Sequence, residues 1–61
     1  MTARQRDIAV NTLYAAFGLE DVAEALAPRM SDTESEAMAA FMDAMDDPVH
    51  AEIWRREARK K

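Results

Sequence analysis

Apolar residues recur at helical spacing along almost the whole chain, and few helix-breaking residues interrupt them. Val10, Leu13, Tyr14 and Phe17 stand at i, i+3, i+4 and i+7, which places them on one stripe of a helix. The chain contains only one glycine and two prolines, and no segment shows the period-two alternation of a strand. The sequence therefore predicts an all-α fold.

Capping boxes, which mark the beginning of a helix, are predicted at two segments. Thr2 is followed three residues later by Gln5, and Thr33 is followed three residues later by Glu36. In such a box each side chain accepts a hydrogen bond from the backbone N–H of the other residue. The first and third helices are therefore predicted to begin at these boxes.

Glycine and proline mark the predicted helix ends. Gly18 is expected to end the first helix in a left-handed conformation, and Pro28 is expected to stop the second. Pro48 suits the first position of the fourth helix, with Asp47 as its N-cap. We predict a single domain over residues 1–61, a compact bundle with helices at about 3–17, 19–27, 33–46 and 48–60.

The small size of the chain suggests that the bundle is completed by self-association. It has 61 residues and no cysteine, so neither disulfides nor a cysteine-based zinc site can staple it. Chains of this size bury little apolar surface, and oligomerisation is a common remedy. We therefore expect a homodimer, a larger protein partner, or both.

Two apolar stripes are the predicted interface, and methionine on them suits an adaptable binding surface. The alternative is that the same residues fill the core of a single chain, as Trp54 in particular commonly does. Ile8 and Ala15 lie on a second, weaker apolar face of the first helix. The interface candidates are Met38, Phe41, Met42, Met45, Val49, Ile53 and Trp54.

Charge is distributed unevenly. The net charge is −4, but residues 31–48 hold six acids and no base, whereas residues 49–61 hold two acids and five bases. This pattern predicts either an ordinary solvated surface or an electrostatic docking surface. The acidic candidates are Glu34, Glu36, Asp43 and Asp46, and the basic candidates are Arg55, Arg56, Arg59 and Lys60.

These features favour a non-catalytic protein–protein interaction or regulatory module. One alternative is an acidic inhibitor of the phage or mobile-element type, whose carboxylates occupy a nucleic-acid-binding site on a host protein. A second is a nucleic-acid binder that uses the basic C-terminal helix. Nucleic acid is disfavoured as a partner, because residues 33–45, the recognition helix of a hypothetical helix-turn-helix, contain no base.

Little in the sequence indicates chemistry. Asp47 and His50 stand at i, i+3, a spacing that metal ligands use, but no second pair accompanies them. A lone histidine and four short helices offer no catalytic pocket, and one glycine leaves no phosphate-binding loop. We expect no enzyme activity, no cofactor, no membrane association and a cytoplasmic location in a bacterial or phage-infected cell.

Overall fold

The computed structural model describes residues 2–60, and within that range it shows four α-helices and no strand. The helices are α1 (Ala3–Phe17), α2 (Glu20–Leu26), α3 (Asp32–Ala44) and α4 (Pro48–Ala58), and a single 3-10 turn (Ala27–Arg29) follows α2. The all-α prediction with four helices is confirmed. Met1 and Lys61, the ends of the predicted 1–61 domain, lie outside the described residues.

Capping boxes begin α1 and α3, and the sequence-based prediction is correct for α1 only. The Thr2 hydroxyl accepts from the Gln5 N–H at 3.1 Å, and the Gln5 side chain accepts from the Thr2 N–H at 2.8 Å. The box predicted at Thr33 is wrong, because α3 begins at Asp32 and its N-cap is Ser31. Ser31 pairs in the same reciprocal way with Glu34, at 3.1 and 2.8 Å.

Gly18 ends α1, but not in the predicted left-handed conformation. Its φ is −82°, and its N–H donates to the Tyr14 carbonyl oxygen at 2.7 Å. A Cβ atom at Gly18 would lie 2.8 Å from that oxygen and 3.1 Å from Cε1 of the Tyr14 ring. Glycine is needed here because the preceding turn approaches closely, not because the backbone is left-handed.

The left-handed helix end occurs instead after α3, at Asp46, whose φ is 59°. The Asp46 N–H donates to the Asp43 carbonyl at 3.0 Å, and the Asp47 N–H donates to the Met42 carbonyl at 3.0 Å. These two bonds form the Schellman pattern, which normally has glycine at the left-handed position. Aspartate is one of the few other residues that tolerate it.

The core lies mainly between α3 and α4, which pack as a hairpin joined by residues 45–47, with α2 and the 3-10 turn against α4. Trp54 and Met42 are its largest fully buried side chains. Alanines bring the helices close together. The buried apolar residues are Ala23, Ala27, Ala39, Met42, Ala51 and Trp54.

α1 is the exception to this packing, because none of its residues is buried. The radius of gyration is 11.8 Å, whereas a compact chain of this length is expected to have about 10.5 Å. The molecule measures 38 × 20 × 17 Å along its principal axes.

Within residues 2–60, no helix combines the length and apolar character that a membrane crossing requires.

Candidate interaction surface

α1 is attached to the rest of the molecule through its last turn. The Tyr14 ring packs edge-on against the Phe41 ring, with centroids 6.4 Å apart. The Trp54 indole Nε1–H donates to the Phe17 carbonyl oxygen at 3.1 Å. Tyr14 and Phe17 are half-buried against the core. The predicted stripe is therefore only partly covered. Tyr14 and Phe17 pack against the core, whereas Leu13 is 43% exposed.

α1 also carries apolar residues that stay largely exposed in this chain. Ile8 is 56% exposed and Leu13 43%, and the smaller residues between them on the helix surface are exposed as well. The Thr12 hydroxyl donates to the Ile8 carbonyl at 2.8 Å, so this polar group is partly satisfied within the helix. We call this surface the α1 outer face; it consists of Ile8, Ala9, Thr12, Leu13 and Ala16.

A polar cluster fastens α1 to the junction of α3 and α4. The Tyr14 hydroxyl donates to Oδ2 of Asp47, and the same oxygen lies 2.7 Å from Nδ1 of His50. Oδ1 of Asp47 accepts from the backbone N–H of His50 at 3.0 Å, which is the predicted N-cap bond of α4. Asp47 thus caps α4 and holds α1 at once.

The hydrogen bonds in this cluster shift two pKa values. The Tyr14 hydroxyl lowers the pKa of Asp47 below its ordinary value, with a further contribution from the His50 backbone N–H. The same hydrogen bond, together with desolvation and the negative charge of Asp47, raises the pKa of Tyr14. The bond therefore favours the ionised carboxylate and the neutral phenol.

Asp47 and His50 are adjacent, as their spacing predicts, but they do not form a metal-binding group with a third ligand. Among residues 2–60, no set of three histidine, cysteine or carboxylate side chains is arranged to hold a metal ion. Both oxygens of Asp47 are already in hydrogen bonds, one with Tyr14 and His50 and the other with the α4 backbone. The pair has a structural role here.

The predicted acidic and basic surfaces largely face each other within one chain. The Arg55 guanidinium lies 2.9 Å from Glu36 and 3.0 Å from Asp43, which ties α4 to α3. Arg55 also lowers the pKa of Glu36. Of the other two predicted acids, Glu34 belongs to the α3 capping box, and Asp46 is exposed without an ion pair among residues 2–60.

The remaining basic candidates also hold carboxylates of this chain. Arg56 lies 2.9 Å from Glu20 of α2 and 3.1 Å from Glu57, and Lys60 lies 2.9 Å from Glu57. Glu57 is almost fully buried. The hydrogen bond from Lys60 is the largest of the effects that lower the pKa of Glu57. Arg59 lies 2.9 Å from Glu52. Each basic candidate of α4 is therefore paired with a carboxylate of this chain.

An open cleft of about 330 Å³ separates the first turns of α3 from the last turns of α4. Its polar groups already have partners within the chain. The buried Ser35 hydroxyl donates to the Ser31 and Asp32 carbonyls at 3.1 and 3.2 Å. The lining residues are Asp32, Ser35, Glu36, Arg55, Ala58 and Arg59.

The predicted interface stripes belong mostly to the core of the single chain. Met42 and Trp54 have no exposed surface, and they therefore cannot contact a partner in this conformation. Met38, Phe41 and Ile53 are half-buried against the core, and Met45 is half-buried. Val49, at 67% exposure, is the one of the seven with most of its surface accessible.

Sequence reasoning missed the role of Tyr14 and undervalued Ile8. Tyr14 lies 33 positions before Asp47, so no local pattern could link the two residues. The signal for Ile8 was present, because it lies off the main stripe of α1, but its exposure depends on where the other helices pack.

No protein-family model, curated protein or solved structure matches this chain.

Proposed function

We propose that this chain is a non-catalytic protein–protein interaction module that binds its partner through the α1 outer face. One observation carries the proposal. α1 is a complete, capped helix of 15 residues, yet none of them is buried and two large apolar side chains on it are exposed. Helices in small proteins generally gain their stability from burying an apolar face. A partner that covers Ile8 and Leu13 would supply that burial.

The two alternative functions have less support, because each requires charges that are free to bind. An acidic inhibitor would present Glu36 and Asp43, but both hold Arg55. A nucleic-acid binder would present Arg55 and Arg56, but both hold carboxylates. We also propose that the protein is located in the cytoplasm of a bacterial or phage-infected cell, as predicted from the sequence.

Site-specific photo-crosslinking in cells that carry the gene tests the proposal. A photoreactive amino acid replaces Ala9 or Ala16 on the outer face, and Ala40, an exposed alanine on α3, is the matched control position. We expect adducts of defined mass from the two outer-face positions and none from Ala40. Equal yields from all three positions, or none from any, would contradict the proposal.

A second variant separates binding from mere proximity. Leu13→Glu places a charge in the outer face, and burying an unpaired charge is costly, so the adducts from Ala9 should be lost. Leu26→Glu is the matched control, because Leu26 on α2 is 37% exposed, close to the 43% of Leu13. That variant should retain the adducts. Circular dichroism of both variants verifies that each is folded.

A further inference from the structure

The attachments of α1 to the rest of the molecule are concentrated near its C-terminal end. Among residues 2–60, two hydrogen bonds join α1 to the later helices. The Tyr14 hydroxyl donates to Asp47, and the Trp54 indole N–H donates to the Phe17 carbonyl at 3.1 Å. Tyr14 and Phe17 are also the α1 residues that pack against the core. Both lie within the last four residues of this 15-residue helix, so contacts at one end hold the whole of α1.

The linker between α1 and α2 consists of Gly18 and Leu19. The backbone hydrogen bonds on its two sides stay within their own helices. The Gly18 N–H donates to the Tyr14 carbonyl of α1 at 2.7 Å, and the Leu19 carbonyl accepts from the Ala23 N–H of α2 at 3.1 Å. Rotation between Gly18 and Leu19 therefore breaks neither bond. Hinges of moving segments commonly lie at such ends of helices and strands.

The groups that contact α1 stay satisfied when it moves away. Asp47 keeps its two contacts with His50, at 3.0 Å from the backbone N–H and at 2.7 Å from Nδ1. The Asp47 carboxylate therefore avoids the cost of a buried charge without a partner. The Trp54 indole loses its acceptor, the Phe17 carbonyl, and its N–H becomes accessible to water.

We propose that α1 is a hinged arm that leaves the core about Gly18 and Leu19 while α2, α3 and α4 stay folded. The hydrogen bond from Tyr14 to Asp47 is its latch, and opening uncovers the Trp54 indole N–H. Proteins open locally in such units, and segments with few buried apolar contacts open most readily. This movement takes place in the free chain and does not depend on a partner of the α1 outer face.

The two N–H groups of Trp54 report on the arm and on the core separately. The backbone N–H lies inside α4, whereas the indole N–H reaches α1. Trp54 is the only tryptophan of the chain, so its indole signal is unambiguous in an NMR spectrum. Hydrogen exchange of the native chain should show lower protection for the indole N–H than for the backbone N–H, each relative to its own intrinsic rate. Equal protection of the two groups would overturn the inference.

Urea below the unfolding transition sharpens this test. Opening of the arm exposes less surface than unfolding of the chain, so the protection of the indole N–H should depend on urea much less than that of the backbone N–H. Ser31→Ala removes the cap of α3, which stays folded when the arm opens. It should lower the protection of the Trp54 backbone N–H by about fivefold and leave that of the indole N–H unchanged. An equal loss at both groups would mean that the arm and the core open together.

Tyr14→Phe tests the latch, because it removes the hydroxyl and keeps the ring against Phe41. The protection of the Trp54 indole N–H should fall by about tenfold, as expected for the loss of a hydrogen bond to a charged group. Thr12→Ala is the matched control, since it removes an α1 hydroxyl that bonds to Ile8 within the helix. That variant should leave the indole N–H unchanged. If Tyr14→Phe also leaves it unchanged, Tyr14 does not control the opening and the latch is wrong.

Discussion

α1 and α3 begin in the same way but are held in different ways. Each starts with a complete capping box, from Thr2 and Gln5 in α1 and from Ser31 and Glu34 in α3. α3 has three buried residues and packs along α4, whereas α1 has none and is fastened at its last turn. Local signals therefore determine where a helix forms, but they do not determine whether that helix supports the fold.

The largest expected effect contrasts the core with the α1 outer face. Trp54→Ala removes the largest buried side chain and should lower the free energy of unfolding by about 3–5 kcal/mol. That is a large share of the roughly 3–9 kcal/mol expected for a chain of this size. Leu13→Ala, at a 43% exposed position, should cost less than about 1 kcal/mol in the monomer.

Urea denaturation followed by circular dichroism at low protein concentration measures both variants. Low concentration keeps association from contributing to the result. Equal losses from Trp54→Ala and Leu13→Ala would mean that α1 is as well integrated into the fold as α4, and would contradict the difference between the two helices.

The next effect concerns the attachment of α1 through Tyr14. Tyr14→Phe removes the hydroxyl that donates to Asp47 but keeps the ring against Phe41. We expect faster amide hydrogen exchange in α1 and little change in α3 and α4, because the bond holds only the last turn of α1. Thr12→Ser, which keeps a hydroxyl on α1, is the control. Uniformly faster exchange would show that α1 and the core unfold as one unit.

The same attachment should depend on pH at both extremes. The folded-state pKa of Asp47 is lowered, so its stabilisation is complete above the ordinary value of 3.8 and is lost as the pH falls through the lowered value. The pKa of Tyr14 is raised, so its stabilisation is complete below the ordinary value of 10.0 and is lost as the pH rises through the raised value. Protection of the α1 amides, measured relative to the intrinsic exchange rate at each pH, should fall in both ranges, and Tyr14→Phe should abolish the alkaline loss.

A smaller effect distinguishes the observed cap of α3 from the predicted one. Ser31→Ala should lower the free energy of unfolding by about 1 kcal/mol, because the side chain accepts from the Glu34 N–H. Thr33→Ala should change it by less than about 0.5 kcal/mol. Thermal denaturation compares the two variants, and a larger loss from Thr33→Ala would contradict the observed helix start.

The smallest effect tests the left-handed end of α3. Asp46→Gly should raise the free energy of unfolding by about 0.5 kcal/mol, because glycine adopts a φ of 59° without steric cost. Asp46→Ala keeps a Cβ atom but lacks the short polar side chain that tolerates this conformation, so it should lower the free energy of unfolding. If Asp46→Gly is destabilising, the aspartate side chain contributes more than its backbone conformation costs.

Most of the helix positions could be predicted from the sequence, but the choice between two equivalent signals could not. Ser31 and Thr33 are each followed three residues later by glutamate, so both fit a capping box. Ser31 is the cap, and Glu36 instead lies 2.9 Å from Arg55 of α4. The Glu36–Arg55 contact joins residues 19 positions apart. No local pattern could therefore reveal that Glu36 contacts α4 and does not take part in a capping box.

The helix ends show the same limit. Gly18 was expected to be left-handed because glycine is the usual residue at such ends, yet the left-handed residue is Asp46. Gly18 is required by the closeness of the Tyr14 turn, which becomes visible only when the chain is folded. The attachment of α1 through Tyr14 and Asp47 likewise joins residues from opposite halves of the chain.

The sequence by itself determined the all-α class, the approximate helix positions, the first capping box and the role of Asp47 as the N-cap of α4, because helical periodicity and capping act within a few residues. Only the tertiary structure decided which stripe became core and which stayed exposed. It buried Met42 and Trp54, paired the acidic segment with the basic helix, and left the α1 outer face uncovered. Burial and ion pairing depend on which distant side chains meet, and spacing along the chain does not specify that.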